Sequence, residues 1–514
     1  MIKNIFTAFF VAIILLLITA AIVYAAYLTP QKRAAAHLEY VHQAIDEMHP
    51  AILEKGATEF HRWHTQGYEQ VKRLLPLVRT EGDANAIMRF YLSGYEDSHL
   101  SGDFNRTPYS RIDSQKSSWT GWIIGATNSY YYVQLAKQGD QYPPIDAQLL
   151  SCDQKPIDAL LQEYFSPYFD RRWHLLTAHQ QAARALSQSF NNVILLNRPD
   201  IKECTFDVKG EKKSYPLVWQ PRDEKDIADI RTINNKPYKF PDAHLLSPGI
   251  IWITASDFQL NSPEAANSQK RLLEKLNKVD DKSVIVLDTR LNSGGSSRHG
   301  FNILSSALNN DEKHFLEKEW KRKFGNADAQ FRASWRLYWN YDYKLKKVIA
   351  NQGSESPISS FLIKTMEKIK TTLDEGKSHF YQSEIFEDQK DDNQDTEPPV
   401  TKWDSTRKVI LVTSSHCSSA CLDFVDMVKL IPNHLHLGEP TNADTSYIEV
   451  AELESSYYGE TFNFMVPSKK WNKRIRKDNE PYIPDIIYNG NIYDDQALEL
   501  WVLAQAEQHF GLTQ

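Results

Sequence analysis

Ser419 stands where a nucleophile would have to stand. The run Val409-Ile410-Leu411-Val412-Thr413 is apolar and of strand type, it stops at a tight turn that carries Ser414, Ser415, His416, Cys417, Ser418 and Ser419, and a helix is expected to start at the turn. A serine at a helix N-terminus lies beside unpaired backbone N–H groups and the positive end of the helix dipole. That setting suits both an activated hydroxyl and a developing oxyanion. Ser414, Ser415 and Ser418 compete for the same role. A second fragment runs from Leu287 to Ser296 and carries Asp288, Arg290, Asn292, Gly294 and Gly295. Its glycines allow a sharp turn that brings N–H groups close to a ligand. Taken alone it reads equally well as a plain strand–loop–helix corner. The third fragment is Glu96-Asp97-Ser98-His99. His99 is a general-base candidate there, or a capping or surface residue after a helix.

These fragments need elements to position them. Residues 34–95 read mostly as helix, with apolar residues at three-and-four spacing (Ala44, Ile45, Met48; Val71, Leu74, Leu75, Val78) and a break at 80–83. From about Thr120 to Pro221 the pattern turns to short strands, including 130–135, a strand and turn at 145–157, and a hairpin around Lys209-Gly210-Glu211-Lys212. From about Ile227 onward, strands at 249–254, 284–288 and 409–413 alternate with a helix at 264–278, which predicts an α/β core. An insertion at about 309–400 is helix-forming, carries Trp320, Trp335 and Trp339, and ends in an acidic run at 387–397 expected to be a solvated loop. The basic run Lys469-Lys470-Trp471-Asn472-Lys473-Arg474-Ile475-Arg476-Lys477 reads as a solvated or lipid-facing loop, or as a holder of a substrate carboxylate.

The bulk composition bounds the answer. A chain of 514 residues is too long for one core, so two or three domains are expected. Hydrophobic residues at 41% and charged residues at 24% are ordinary globular values. A net charge of −7, without a zinc-finger or RNA-binding signature, makes no case for a nucleic-acid partner. Residues 5–28 carry no charge and are long enough to cross a bilayer of about 30 Å as one helix. They predict a retained signal anchor, with cleavage near Ala25 and Ala26 as the alternative. Lys3 precedes the span and Lys32 and Arg33 follow it, so charge does not fix orientation. Cys152 can pair with Cys204, and Cys417 and Cys421 can pair or be small buried residues. No metal site is indicated, since Cys-x3-Cys lacks a second ligand pair.

Together the fragments resemble the carboxy-terminal processing and tricorn-type serine peptidases. The carriers are Asp97-Ser98-His99-Leu100, the strand and turn at 146–157, the Asp288/Arg290/Asn292/Gly294/Gly295 turn, Gly438-Glu439-Pro440-Thr441, and Pro484-Asp485-Ile486. The turn followed by Gly-Glu-Pro-Thr is the specific part, and the likeness spans most of 35–505, leaving the anchor and the insertion outside. It implies an α/β, crotonase-like catalytic core, an N-terminal helical domain and a β-rich PDZ-like domain. The expected boundaries are 1–29 for the anchor, 30–115 helical, 116–222 PDZ-like, and 223–514 for the core. It also implies Ser419 as nucleophile and the N–H groups of Ala420 and of Gly294 or Gly295 as oxyanion donors. The register on Gly438 favours Ser419 over Ser418. The family's serine–lysine branch places a lysine just after Gly-Glu-Pro-Thr. Residues 442–447 contain none, and Asp444 cannot act as a deprotonated amine. The base is then His99, as in the histidine-dependent branch, with Ser98 as an assisting hydroxyl. Glu480 is the first choice for the acid that orients His99, and Asp478 the second.

The expectation is a membrane-anchored serine endopeptidase without cofactor. It would act on a peptide or protein substrate, with a single pass through the inner membrane and its body in the periplasm or another extracytoplasmic space. The rival is an inactive peptide- or apolar-ligand-binding scaffold of the same fold.

Overall fold

The computed structural model describes residues 29–104, 118–188, 200–234, 238–280, 283–324, 328–385, 403, 405–457 and 460–511. The apolar span 5–28 and the acidic run 387–397 lie outside the described residues. Among the described residues, no helix is long and apolar enough to cross a membrane.

Helix α1 (Pro30–Met48) starts with proline at its first position and Thr29 capping the Lys32 N–H. Ala34, Leu38, Val41, Ile45 and Met48 recur on one face and are buried. Helix α2 (Glu81–Ser93) opens with a reciprocal Thr80–Asp83 capping box. After it the chain makes the Asp97–His99 turn and enters strand β1 (Ser101–Phe104).

A second unit follows. Strands β2 (Trp122–Ala126), β3 (Tyr131–Ala136) and β4 (Gln148–Cys152) precede helices α3 (Ile157–Tyr164) and α4 (Leu176–Ser187). Strands β5 (Glu203–Val208) and β6 (Glu211–Pro216) close it. The strands pair antiparallel in the order β2-β3-β4-β5-β6, and a disulfide joins Cys152 to Cys204 across β4 and β5.

The core begins with β7 (Asp242–Ser247), β8 (Ile250–Thr254), α5 (Pro263–Leu276), β9 (Val284–Asp288) and α6 (Ser297–Ala307). The segment expected as an insertion forms α7 (Asn310–Phe324), β10 (Ala329–Arg332), α8 (Trp335–Gln352), α9 (Pro357–Asp374) and β11 (His379–Tyr381). Strand β12 (Val409–Thr413), helix α10 (Ala420–Val428), β13 (His434–Gly438), β14 (Tyr447–Tyr457), β15 (Glu460–Trp471), β16 (Ile486–Ile487) and α11 (Asp495–Phe510) complete the chain.

One sheet runs β7-β8-β9-β12-β13-β16, parallel except for β7. Every residue of β9 and β12 is buried, as expected of central parallel strands with both faces covered. Ile285, Leu287, Val409 and Leu411 face a core with α5, α6 and α10, while Val284, Val286, Ile410 and Val412 face Leu498, Val502 and Ala506 of α11. Burying each such side chain stabilises the fold by roughly 1.5–3 kcal/mol. The α/β character of the core follows from this alternation.

A second sheet is built on the long β14–β15 hairpin, with β1 and β10 pairing along β15 and β11 beyond β10. The N-terminal helices, α8, α9 and this hairpin share one core that includes Leu38, Met88, Leu337, Ile369 and Phe464. The basic run is a correction. Lys469, Lys470 and Trp471 belong to β15 and Arg476 is buried, whereas Asn472, Lys473, Ile475 and Lys477 stand exposed in the loop that follows, so only the second half of the run is a solvated loop.

Candidate active site

Strand β12 ends at Thr413, and the turn after it delivers Ser419 to the first position before α10. Ser419 has φ 54° and ψ −125°, a left-handed conformation that L-residues avoid. A Cys417–Cys421 disulfide closes a small loop around it. The other serines are engaged elsewhere. Ser414 donates to the Arg290 carbonyl at 2.7 Å, Ser415 to Gln180 Oε1 at 3.0 Å, and Ser418 to the Ser293 carbonyl at 3.0 Å.

The glycine turn after β9 packs directly on this serine. Asp288 holds the turn by accepting from Arg290 Nε and Nη2, each at 2.8 Å, and from the Arg290 N–H. Asn292 donates to the Ala255 carbonyl at 2.7 Å and accepts the Gly294 N–H at 2.8 Å. A Cβ on Gly294 would sit 2.8 Å from both the Ser418 carbonyl oxygen and Ser419 Cβ, and 3.1 Å from Ala420 N. Only glycine permits that approach at φ 106°. Ala420 opens α10, so its N–H has no acceptor within the helix. The Gly294 N–H is occupied by Asn292, which leaves Gly295 as the other donor of the expected pair.

His99 reaches the same point from the far end of the sequence. Its Nε2 lies 3.3 Å from Ser419 Oγ. The Ser419 hydroxyl donates there when Nε2 is unprotonated. His99 Nδ1 is buried without a hydrogen-bond partner, and Asp97 Oδ1 lies 3.8 Å from it. Asp97 Oδ1 also accepts the His99 N–H at 2.9 Å. Its other oxygen accepts from His49 Nε2 at 3.2 Å. The tautomer of His49 follows from its second contact. Its Nδ1 accepts the Ala51 N–H at 3.1 Å, so the ring proton is on Nε2. His49 is fully buried, and that burial keeps its pKa below the ordinary value. Burial also pushes Asp97 upward, but the hydrogen bond and charge of His49 and the charge of His99 outweigh it and hold the carboxyl below its ordinary value.

The expected orienting acids are elsewhere. Glu480 accepts the Lys477 N–H at 3.0 Å and makes no ion pair with His99. Asp478 accepts the Ser446 N–H at 2.7 Å and pairs with Arg474 at 2.8 Å. The local turn at 477–480 folds Glu480 back on its own backbone. Ser98 hydrogen-bonds neither His99 nor Ser419. Asp444 is buried against Arg474 at 2.7 Å and Arg476 at 3.2 Å. Burial raises its pKa, and those two arginines more than reverse the effect. Asn479 ties the early turn to the core by donating to the Glu96 carbonyl at 2.8 Å while accepting from Arg172 at 3.0 Å. Among the described residues, no group of three or more His, Cys, Asp or Glu side chains is placed to hold a metal ion.

A serine hydroxyl facing an imidazole, with a carboxylate behind it and a helix N-terminus in front, marks a serine-type peptidase, a hydrolase. Residues 249–486 match the sequence model of peptidase family S41, and the chain is similar to the serine peptidases of that family. Its fold resembles that of mature CPAF, with a TM-score of 0.58 and 10% identity over 93% of this chain and 97% of that one. It also resembles mature CPAF complexed with lactacystin, with a TM-score of 0.56 and 10% identity over 93% and 99% of the two chains. At that identity the likeness is one of fold alone. No curated protein matches the chain.

Proposed function

We propose that the protein is an endopeptidase that cleaves peptide bonds through an acyl-enzyme on Ser419. The observation that carries this reading is the 3.3 Å approach of His99 Nε2 to Ser419 Oγ, across regions 320 residues apart in sequence. In this mechanism His99 takes the hydroxyl proton as Ser419 Oγ attacks the peptide carbonyl. The Ala420 and Gly295 N–H groups hold the oxyanion, worth several kcal/mol in the transition state. His99 then protonates the leaving amine. Water, deprotonated by the same imidazole, hydrolyses the ester. Asp97, in place of Glu480, stabilises the imidazolium, and His49 holds Asp97.

We further read the core as crotonase-like and residues 116–222 as PDZ-like. The second reading is supported by the edge strand β2 lying against α4, a place where a peptide strand could add. Residues 5–28 would anchor the protein in the inner membrane, with its body in an extracytoplasmic space. The two disulfides support an oxidising compartment. The test is digestion of an unfolded protein substrate by the wild type beside Ser419→Ala and His99→Ala. Internal fragments from the wild type alone are expected, and fragments from Ser419→Ala would overturn the assignment.

A further inference from the structure

One cavity borders the nucleophile's helix and plays no part in the chemistry above. It encloses about 530 Å³, within the size range of small-ligand pockets. Its apolar lining comes from four elements: Phe301 of α6, Leu316 and Trp320 of α7, Met427 of α10 and Trp471 at the end of β15. Its inner edge is the hydrogen bond from Ser297 Oγ to Asp423 Oδ2, at 2.6 Å. Ser297 is two residues beyond Gly295. Asp423 is four beyond Ser419, about 6 Å along the helix at 1.5 Å per residue. The near edge of the cavity therefore lies about one helical turn from Ser419 along α10.

The buried charges around it are paired with one another. Asp423 binds Arg476 at 2.9 Å in addition to Ser297. Asp426 is held by Arg476 and Tyr482. Arg474 binds Asp444 and Asp478. The buried carboxylates of its wall, Asp423 and Asp426, are thus committed to Arg476. Arg298, Glu317 and Lys473 stand exposed at the mouth.

We propose that this cavity is the specificity pocket of the peptidase, and that it takes a bulky apolar side chain, aromatic or large aliphatic, adjoining the scissile bond. The α7 segment supplies Leu316 and Trp320 and so sets the preference. The inference rests on Ser419 being the nucleophile.

The test uses two sets of fluorogenic peptides that vary Phe, Leu, Ala, Asp or Lys on one or the other side of the scissile bond. In one set, kcat/KM for Phe and Leu should exceed that for Ala, Asp and Lys by at least about tenfold, the scale of apolar pocket discrimination. Trp320→Ala and Phe301→Ala should each lower the Phe-to-Ala ratio at least fivefold. Trp339→Ala, on the exposed face of α8 and outside the cavity, should leave the ratio unchanged. A flat profile on both sides, or ratios unmoved in both pocket variants, overturns the proposal. Should Trp320→Ala fail to fold, Phe301→Ala decides alone. Labelling of the wild type by a fluorophosphonate separates the two levels. A labelled enzyme with a flat profile refutes the pocket only, and an enzyme that neither labels nor cleaves refutes the peptidase reading and the pocket with it.

Discussion

Asp97→Asn is the substitution that separates the site seen here from the one expected with Glu480. In the transition state His99 carries a positive charge, and Asp97 Oδ1 is 3.8 Å from its Nδ1. Unit charges at that distance interact by about 4 kcal/mol at an effective dielectric constant of ~20. At about 1.4 kcal/mol per tenfold in rate, removing the carboxylate charge should lower kcat about a thousandfold. Stability should fall as well. Both Asp97 oxygens accept from donors, the His99 N–H and His49 Nε2, and an asparagine can accept on only one side. The mismatch should cost about 1–3 kcal/mol, readable as a lower melting temperature. The assay is kcat and kcat/KM on one fluorogenic peptide, with thermal melts to establish that the variant is folded where it is measured. Glu480→Gln is the paired control and should stay within threefold of the wild type. A folded Asp97→Asn enzyme with kcat within threefold of the wild type would refute the reasoning, as would an equal loss in Glu480→Gln.

Gly294→Ala should abolish fluorophosphonate labelling or slow it at least a hundredfold. The new Cβ meets Ser418 and Ser419 at 2.8 Å, and the backbone strain costs about 1–3 kcal/mol. The double variant Cys417→Ala/Cys421→Ala should lose about 2 kcal/mol of unfolding free energy from the small loop it opens. It should also lose activity, because Ser419 at φ 54° depends on that turn; denaturant titration and kcat measure the two effects. Stability should fall in acid. Burial, helped by the charge of His42, lowers the His64 pKa from its ordinary value to about 4. The unfolded chain then takes up a proton before the folded one does, so stability is complete above about pH 6.5 and is lost between about 6.5 and 4. The loss should approach about 3 kcal/mol, and His64→Gln should flatten that part of the unfolding free-energy profile against pH.

Much of this site was legible because its parts are local. The strand–turn–helix around Ser419 and the Asp288–Gly295 turn announce themselves through apolar runs that end in small and polar residues. Strands β9 and β12 occupy the expected residues because both are continuous β-branched or aliphatic runs. His99 could be named only through its motif, since nothing in a linear sequence shows a contact across 320 residues. Asp97 was passed over for Glu480 although it stands two residues from His99. A close neighbour in sequence reaches the imidazole only if the turn folds back, and Asp97 does so by accepting the His99 N–H. His49 gave no signal. It precedes Pro50 and reads as the N-cap of a short turn, which it also is. The basic run differs from a plain solvated loop at Arg476 because the acids it meets, Asp423, Asp426 and Asp444, come from another part of the chain. Where α7 packs to wall the cavity beside α10 has no counterpart in local pattern at all.

The central claim is that Ser419 is the nucleophile and His99 its base. The most direct measurement is to label the protein with a fluorophosphonate and locate the adduct by peptide mass spectrometry, in the wild type and in His99→Ala. The expected result is a single adduct on Ser419 that forms at least a hundredfold more slowly without His99. An adduct on Ser418, or labelling of Ser419 at an unchanged rate in His99→Ala, would contradict it.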